Sequence, residues 1–524
     1  FASFMAMHVK WQDSRLQISC SLGVGDCLRF GLVCCGVAGG VWWRSRSSRG
    51  VHPAEDPNDF VSWGNALLRW IVAYRSRCCE LPVLSTVQPN YLQDALPSQA
   101  PRAGEHWHAI MRDLDAVIVP GLTHWQASNR FFAYFKAHSS YPAVLGEMLC
   151  AGLNVMGFDW IASPACTELE VVVLEWLARL LHLPTKFLAS HEGPGGGVIQ
   201  GSAGEAAIVA ILGAIRRKEA GGEKLERHKL VVFCSDQTHT IIQKAALILG
   251  IGYREVGTEF EDGLRLRGAP LHAAVLDESS KGRIGIAVVA TPGTTSSCAF
   301  DAISEVADVC KQFDMWLHID AAYGGAYACL PELQHLYSGV EFADSYVVNC
   351  HKKLLCPFDL AALYLADRRP VTEALSVHPE YLKNAASDSG AVVDFEHWQL
   401  PLGRRFRALK LWFVLRRFGQ EGIRQHVRNG MVLAQHFASL VRSSDALELV
   451  VPVSLSLVCF RLRDRSDDVQ QNFLEALRKS GRVFLIHTRL AGVLVIRFAC
   501  GGIEQSESDV TDAFTVIQQT ALQF

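Results

Sequence analysis

From about residue 195 onward the chain alternates between two kinds of segment. Short β-rich apolar runs (KLVVFCS, IGIAVVAT, MWLHID, SYVVNC, AALYLA) are separated by stretches with helical spacing such as TIIQKAALILG and AISEVADVCKQF. A parallel strand pair needs a long crossover, which a helix supplies, so the alternation predicts an α/β domain with a mostly parallel sheet covered by helices. Ligands of such sheets bind beyond the carboxyl ends of the strands. Asp320 closes MWLHID, Thr294 and Thr295 follow IAVVATPG, Asp236 and His239 follow KLVVFCS, and His351 and Lys352 follow SYVVN. Each alone has a structural explanation as an N-cap or a satisfied core histidine. Together they converge on one rim.

Lys352 and Lys353 sit between two apolar runs, where the interior does not accept an unpaired ammonium. A solvated surface turn is the bland alternative. Upstream, EGPGGGVIQGSAGEAAIVAIL is a Gly-rich loop running into an apolar helix opened by Ser202, Ala203 and Gly204. Backbone amides and the positive dipole end at such a start favour an anion. The stretch is neither a G-x-G-x-x-G turn nor a Walker A loop, and flexible glycines with no ligand explain it nearly as well. A phosphate cradle, an Asp at one strand end and a Lys at a later one make the set that pyridoxal phosphate requires. The lysine offers an amine to the cofactor's aldehyde, and the carboxylate keeps the pyridine nitrogen protonated.

Composition narrows the field. The 524 residues are 49% hydrophobic and 20% charged, which suits a globular chain of roughly three domain-sized units. A net charge of −3 without long like-charge runs gives no footprint for nucleic acid, so small molecules are the expected partners. The 16 cysteines are mostly scattered singly along apolar segments (Cys150, Cys234, Cys310, Cys459, Cys500), which reads as reduced core thiols. No C-x-x-C pair exists, and Cys34-Cys35 and Cys78-Cys79 have the wrong spacing for zinc, so no structural metal is expected.

In residues 1–52 the apolar stretch FGLVCCGVAGGVWW falls short of the roughly twenty residues that span a bilayer, and a signal peptide fits poorly. This segment is expected to be a disordered or artefactual extension, with a weak membrane anchor as the minority reading. DFVSWGNALLRWIVAYRS predicts a helical arm. ACTELEVVVLEWLARLLHL predicts an amphipathic helix with a Thr167–Glu170 capping box and a face of Leu169, Val172, Val173, Trp176, Leu177 and Leu180.

From about Asp56 to the C-terminus the chain resembles the group II pyridoxal-phosphate decarboxylases of fold type I, most closely the animal aromatic-L-amino-acid decarboxylases and next the histidine decarboxylases. GLTHWQASNRFFAYFKAHSSYPAVLGEMLCAG, GFDWIASPACTELE, GGGVIQGSAGEA, SDQTHT, TPGTTSSCAFD, HIDAAYGGA, NCHKKLL and FEHWQLPLGRRFRALKLWFVLRRFG carry the resemblance. By that resemblance Lys352 bonds the cofactor's aldehyde, Asp320 pairs with the pyridinium nitrogen and His239 stacks on the ring. Ser202, Ala203, Gly204, Thr295, Ala322, Asn349 and His351 match positions around the cofactor and its phosphate. Tyr381 matches the mobile-loop tyrosine that donates a proton, and Phe135, Ala137 and Gly403 match the substrate pocket.

The resemblance implies the fold type I PLP-dependent transferase architecture with a seven-stranded type of sheet. Its expected parts are a helical flap over 53–140, a large cofactor domain over 141–409 and a small C-terminal α/β domain over 410–524. It further implies a cytoplasmic homodimer with its site near the subunit interface, taking a small amino acid, with no nucleic acid and no membrane. Relatives that release an aldehyde replace either the stacking histidine or the loop tyrosine. Both His239 and Tyr381 are kept, so simple decarboxylation is expected. Gly403 stands where histidine decarboxylases tend to carry serine, which favours a dopa, 5-hydroxytryptophan or tyrosine type of side chain over imidazole.

Four features depart from the family pattern. Lys353 replaces an aromatic residue, Gly204 a serine, Lys136 and Ala137 a Pro-Thr pair, and residues 217–229 are shortened. These departures keep open a catalytically weak homologue acting as a binding partner, beside the histidine-specific and aldehyde-forming alternatives.

Overall fold

The computed structural model describes the backbone of residues 7–12 and 15–20, and residues 56–125, 128–222, 224–377 and 392–524. The chain divides into two units, Phe1–Leu68 and Arg69–Phe524. In the first, β1 (Met7–Gln12) pairs antiparallel with β2 (Arg15–Cys20), where disorder is expected from the sequence. The alternations M-x-V-x-W and L-x-I-x-C have the period of a strand and account for the pair. The rest of residues 1–52 lies outside the described residues. The predicted helical arm is the helix Pro57–Arg77, which begins in the first unit and ends in the second.

The second unit holds a seven-stranded sheet of β3 (Gly196–Gln200), β4 (Leu230–Ser235), β5 (Gly252–Val256), β6 (Ile284–Ala290), β7 (Trp316–Asp320), β8 (Ser345–Asn349) and β9 (Ala361–Leu365). Its order is β3-β9-β8-β7-β6-β4-β5, parallel from β8 through β5 and antiparallel at β8/β9 and β9/β3. Every residue of β4, β7, β8 and β9 is buried. Helices on both faces leave no solvated side, which is why these strands read as continuous apolar runs.

Two strands escape the sequence pattern. β3 lies within the Gly-rich stretch expected to be loop; a Cβ on Gly195 would meet the Lys186 carbonyl at 1.9 Å and one on Gly197 the Tyr364 ring at 2.9 Å. The glycines there serve close packing of a strand. β5, GYREV, has two exposed residues and too little apolar signal.

The C-terminal part carries a four-stranded antiparallel sheet of β10 (Leu447–Leu449), β11 (Leu457–Leu462), β12 (Ile486–Leu490) and β13 (Val493–Ala499), in the order β10-β11-β13-β12. Helices Asp467–Lys479 and Glu507–Ala521 belong to this part, the latter opened by a Ser506/Asp509 capping box. The long helical stretch Ala408–Arg442 bends at Gly419, whose φ of 62° is open to glycine at little cost.

The helix predicted from ACTELEVVVLEWLARLLHL runs over Pro164–Leu180, but its cap differs from expectation. Ser163 is the N-cap and accepts from the Cys166 N–H, so no Thr167–Glu170 box forms. Val172 and Trp176 of the expected buried face are exposed. Glu170 is instead fully buried in an ion pair with Arg404, and it accepts the Ile199 N–H at 2.7 Å. The pair ties this helix to β3 and to the segment that precedes the long C-terminal helix. Removing one partner strands the other's charge, so Glu170→Ala is expected to cost about 3–5 kcal/mol in denaturant unfolding. A loss below about 1 kcal/mol would mean that the pair carries no structural load.

Candidate active site

The parallel strands end on one edge, and a cavity of about 220 Å³ opens there. Ser202, Ala203, Gly204, His239, Thr295, Asp320, Ala322, Asn349, His351 and Lys352 all line it. The elements that bring them together are the helix Ala203–Lys218, the turn after β4, the TPGTT turn after β6, the last residue of β7, and the one-turn helix Cys350–Lys353 after β8.

Ser202 caps the helix Ala203–Lys218 by accepting the Glu205 N–H at 3.2 Å, so the remaining first-turn amides have no intrahelical partner. A Cβ on Gly204 would find nothing nearer than the Ser202 hydroxyl at 3.5 Å, so that side of the cradle is open. In the turn after β6, Gly293 adopts φ 87° and packs on Gly324 after β7, where a Cβ would strike the Pro292 carbonyl at 2.0 Å. The close contact holds these two loops together beside Gly293, which lines the cavity.

The titratable groups are tuned mainly by burial. Lys352 is held below the ordinary lysine value by desolvation; Asp320 opposes that shift and the guanidinium of Arg497 adds to it. Desolvation, with Lys352 nearby, pushes His351 down to about 4, so its ring is neutral; its Nδ1 lies 3.1 Å from the Leu360 N–H. His239 is lowered chiefly by desolvation and then by Lys352. Its Nδ1 accepts the Ile241 N–H at 3.2 Å, which leaves the proton of the neutral ring on Nε2. Two buried oxygens on the lining, Asn349 Oδ1 and Thr291 Oγ1, have no hydrogen-bond partner among the described residues.

Other expected residues fall elsewhere. Phe135 stacks on Tyr323 at 3.5 Å between ring centroids, and the Lys352 Nζ lies 5.7 Å from its ring. Ala137 is half-buried and Gly403 exposed, and neither lines this cavity. Tyr381 lies outside the described residues. Asp236 turns from the rim to accept the Thr258 hydroxyl at 2.7 Å, and Thr294 accepts the Ala299 N–H within its own turn. Sequence reasoning missed Thr291, Gly293 and Tyr323, which the TPGTT and HIDAAYGG motifs already contain. It also missed Arg497 on β13. This guanidinium lies 4.9 Å from the centre of the Phe135 ring, is 3% exposed, and has no hydrogen-bond partner on Nε or Nη2 among the described residues. Nothing local in RFACGG marks it.

The lining suits pyridoxal phosphate: a helix start with free amides for the phosphate, a strand-end carboxylate for the pyridine nitrogen, an amine of lowered basicity for the aldehyde, and orphaned buried oxygens. Among the described residues no group of His, Cys, Asp and Glu could hold a metal ion. Fold and cavity together define a cofactor-dependent α/β enzyme.

Comparison with known proteins makes this specific. Residues 89–463 match the model of the pyridoxal-dependent decarboxylase conserved domain. Tyrosine decarboxylase 2 of Narcissus pseudonarcissus is 45% identical over 87% of this chain and 92% of its own. Aromatic-L-amino-acid decarboxylase of Rattus norvegicus is 42% identical over 85% and 93%. The crystal structure of Oryza sativa TDC with PLP and tryptamine superposes with a TM-score of 0.88 at 38% identity, covering 90% of this chain and 99% of that one. The chain belongs to the pyridoxal-dependent decarboxylase family.

The two unexpected lysines both turn away from the cavity. Lys136 donates to the Ser128 carbonyl at 2.9 Å and Lys353 to the Gly501 carbonyl at 3.2 Å. No carboxylate stands within ion-pair distance of Lys136 among the described residues; Asp509 and Glu504 only moderate its shift. Burial brings Lys136 down to about 7 and Lys353 to about 8, from 10.5. Between those values and 10.5 the unfolded chain binds more protons than the folded one, so stability rises with pH across that window. Lys136→Met is therefore expected to be more stable than the parent at pH 7, by on the order of a few kcal/mol, and to show a flatter stability profile from pH 7 to 10.5. Urea unfolding at a series of pH values measures both, and an unchanged slope would contradict the buried amine.

Proposed function

We propose that this chain decarboxylates an aromatic L-amino acid of the dopa, 5-hydroxytryptophan or tyrosine type to its amine and CO2, with Lys352 as the covalent anchor of pyridoxal phosphate. The observation that carries the reading is the convergence of Lys352, Asp320, His239 and the start of the helix Ala203–Lys218 on one cavity. When bound, the cofactor supplies a ring that accepts the electron pair left by the departing carboxylate. The chain's own groups bind, orient and protonate. Asp320 holds the proton on the pyridine nitrogen, first-turn amides with Ser202 and Thr295 hold the phosphate, and His239 covers the ring face. Arg497, buried beside Phe135 with Nε and Nη2 lacking a partner among the described residues, suits the substrate's carboxylate. The Phe135–Tyr323 stack offers an aromatic wall to the substrate. Tyr381 is assigned the proton returned to the α-carbon.

The same proposal takes the chain as a homodimer. In its favour, Tyr141, Leu145, Met148, Leu149 and Leu153 form an exposed apolar row on the helix Tyr141–Leu153, a surface that monomers seldom leave open. A cytoplasmic location and the parts 53–140, 141–409 and 410–524 belong to the proposal too. All twelve described cysteines are free, and eleven of them are buried, which fits a reducing compartment. No helix among the described residues is long and apolar enough to cross a membrane.

Borohydride reduction of the cofactor-supplemented protein, followed by peptide mapping, is expected to place the label on Lys352. A substrate panel is then expected to give CO2 and amine in equal amounts from the aromatic amino acids, with little from histidine and no aldehyde. A label on Lys353, or none, overturns the anchor; aldehyde as main product overturns the reaction.

A further inference from the structure

We infer that Lys353 is a positioning residue whose amine bolts the one-turn helix carrying Lys352 to the Gly501 turn of the C-terminal sheet, fixing Lys352 relative to Arg497. The inference rests on reading Lys352 as the cofactor's anchor. Lys353 is 1% exposed, and among the described residues its hydrogen bond runs across the sequence to the Gly501 carbonyl at 3.2 Å. Two glycines make room for it. A Cβ on Gly430, in the long helical stretch Ala408–Arg442, would lie 2.5 Å from the Lys353 Nζ, and one on Gly501 would lie 1.9 Å from it.

An apolar side chain of similar length would fill this channel without desolvating an amine, so packing alone does not call for lysine. What lysine adds is the bond to a carbonyl. That carbonyl is itself held: the Gly501 and Gly502 N–H groups both donate to Gln505 Oε1, at 2.9 and 2.7 Å. The preceding Cys500 N–H donates to the Ser456 carbonyl at 2.8 Å, and Ser456 Oγ receives the Tyr327 hydroxyl at 2.7 Å. Tyr327 in turn meets the hydroxyl of Tyr323, a cavity residue, at 2.7 Å. Arg497 stands four residues before Gly501 on β13. The turn therefore ties the anchor helix, the strand bearing Arg497 and the aromatic wall into one frame. A shift of about 1 Å in such a frame costs up to about a hundredfold in rate.

The test uses the full chain with cofactor and two substitutions that reach the bond from opposite sides. Lys353→Met removes the donor and keeps the length; Gly430→Ala keeps the donor and crowds it out of place. Wild type and both variants are expected to carry the borohydride label on Lys352. Both variants are expected to lose about ten- to a hundredfold in kcat with KM within about twofold, and to share an altered visible circular-dichroism band of the bound cofactor. Wild-type kcat and an unchanged band in the two variants, whatever their Tm, would overturn the inference and leave Lys353 a filler. If one variant fails to fold, the other decides alone by the same readouts. Absence of the label from Lys352 in the wild type would instead bring down the anchor assignment, and this inference with it.

Discussion

The structure depends on keeping the Lys352 amine buried, with the Asp320 carboxylate nearby to favour its charge. β7 and β8 are parallel neighbours, with Asp320 level with Val347, so their carboxyl ends emerge side by side. Asp320 is the last residue of β7 and Lys352 lies in the helical turn that follows β8. Burial lowers the basicity of Lys352, and Asp320 opposes the shift. Lowered basicity leaves more of the amine unprotonated at a given pH than in an exposed lysine, which is the direction the chemistry requires. Parallel strands are what make the arrangement cheap: each adds one loop to the same edge, and the loops after β4, β6, β7 and β8 all reach the cavity.

Much of this was legible. Strands buried on both faces must be apolar throughout, so β4, β6, β7, β8 and β9 announced themselves, and with them the rim where His239, Thr295, Asp320 and Lys352 fall. What stayed illegible depended on contacts distant in sequence. β3 is glycine-rich because Tyr364 and the Lys186 carbonyl press on it, which no local pattern shows. Glu170 was misread as a cap because its partner, Arg404, lies more than two hundred residues away. Asp236 and Thr294 sit at the rim by position and yet spend their oxygens on neighbouring turns. Arg497 enters from the other sheet, and only the three-dimensional fold brings it near Lys352.

The Lys352-Lys353 pair shows how direction separates two identical side chains. Successive residues of a helix point about 100° apart. In the one-turn helix Cys350–Lys353 that rotation sends Lys352 into the cavity and Lys353 to the C-terminal sheet. Residue pattern alone placed both after β8 without distinguishing them, and the family resemblance singled out Lys352. Lys136 illustrates the same point: it follows Phe135, which stacks on the cavity's tyrosine, yet its own amine turns to the Ser128 carbonyl. Two departures from the family pattern thus leave the cavity's charge set unchanged in composition, since neither lysine lines it.

The third departure, Gly204, follows a different logic. A serine hydroxyl at that position would offer one more donor to a phosphate, and glycine has none. The neighbouring Ser202 hydroxyl accepts the Glu205 N–H and keeps its own proton to donate, but a single hydroxyl does not supply the cradle alone. The backbone does, because the first-turn amides of a sixteen-residue helix point outward with the dipole behind them. Those donors survive any substitution that preserves the helix, and the absence of a Cβ lets an anion approach them closely. Loss of a hydroxyl at residue 204 is therefore a change in the number of phosphate contacts, while the charge complementarity that holds the phosphate lies in the backbone.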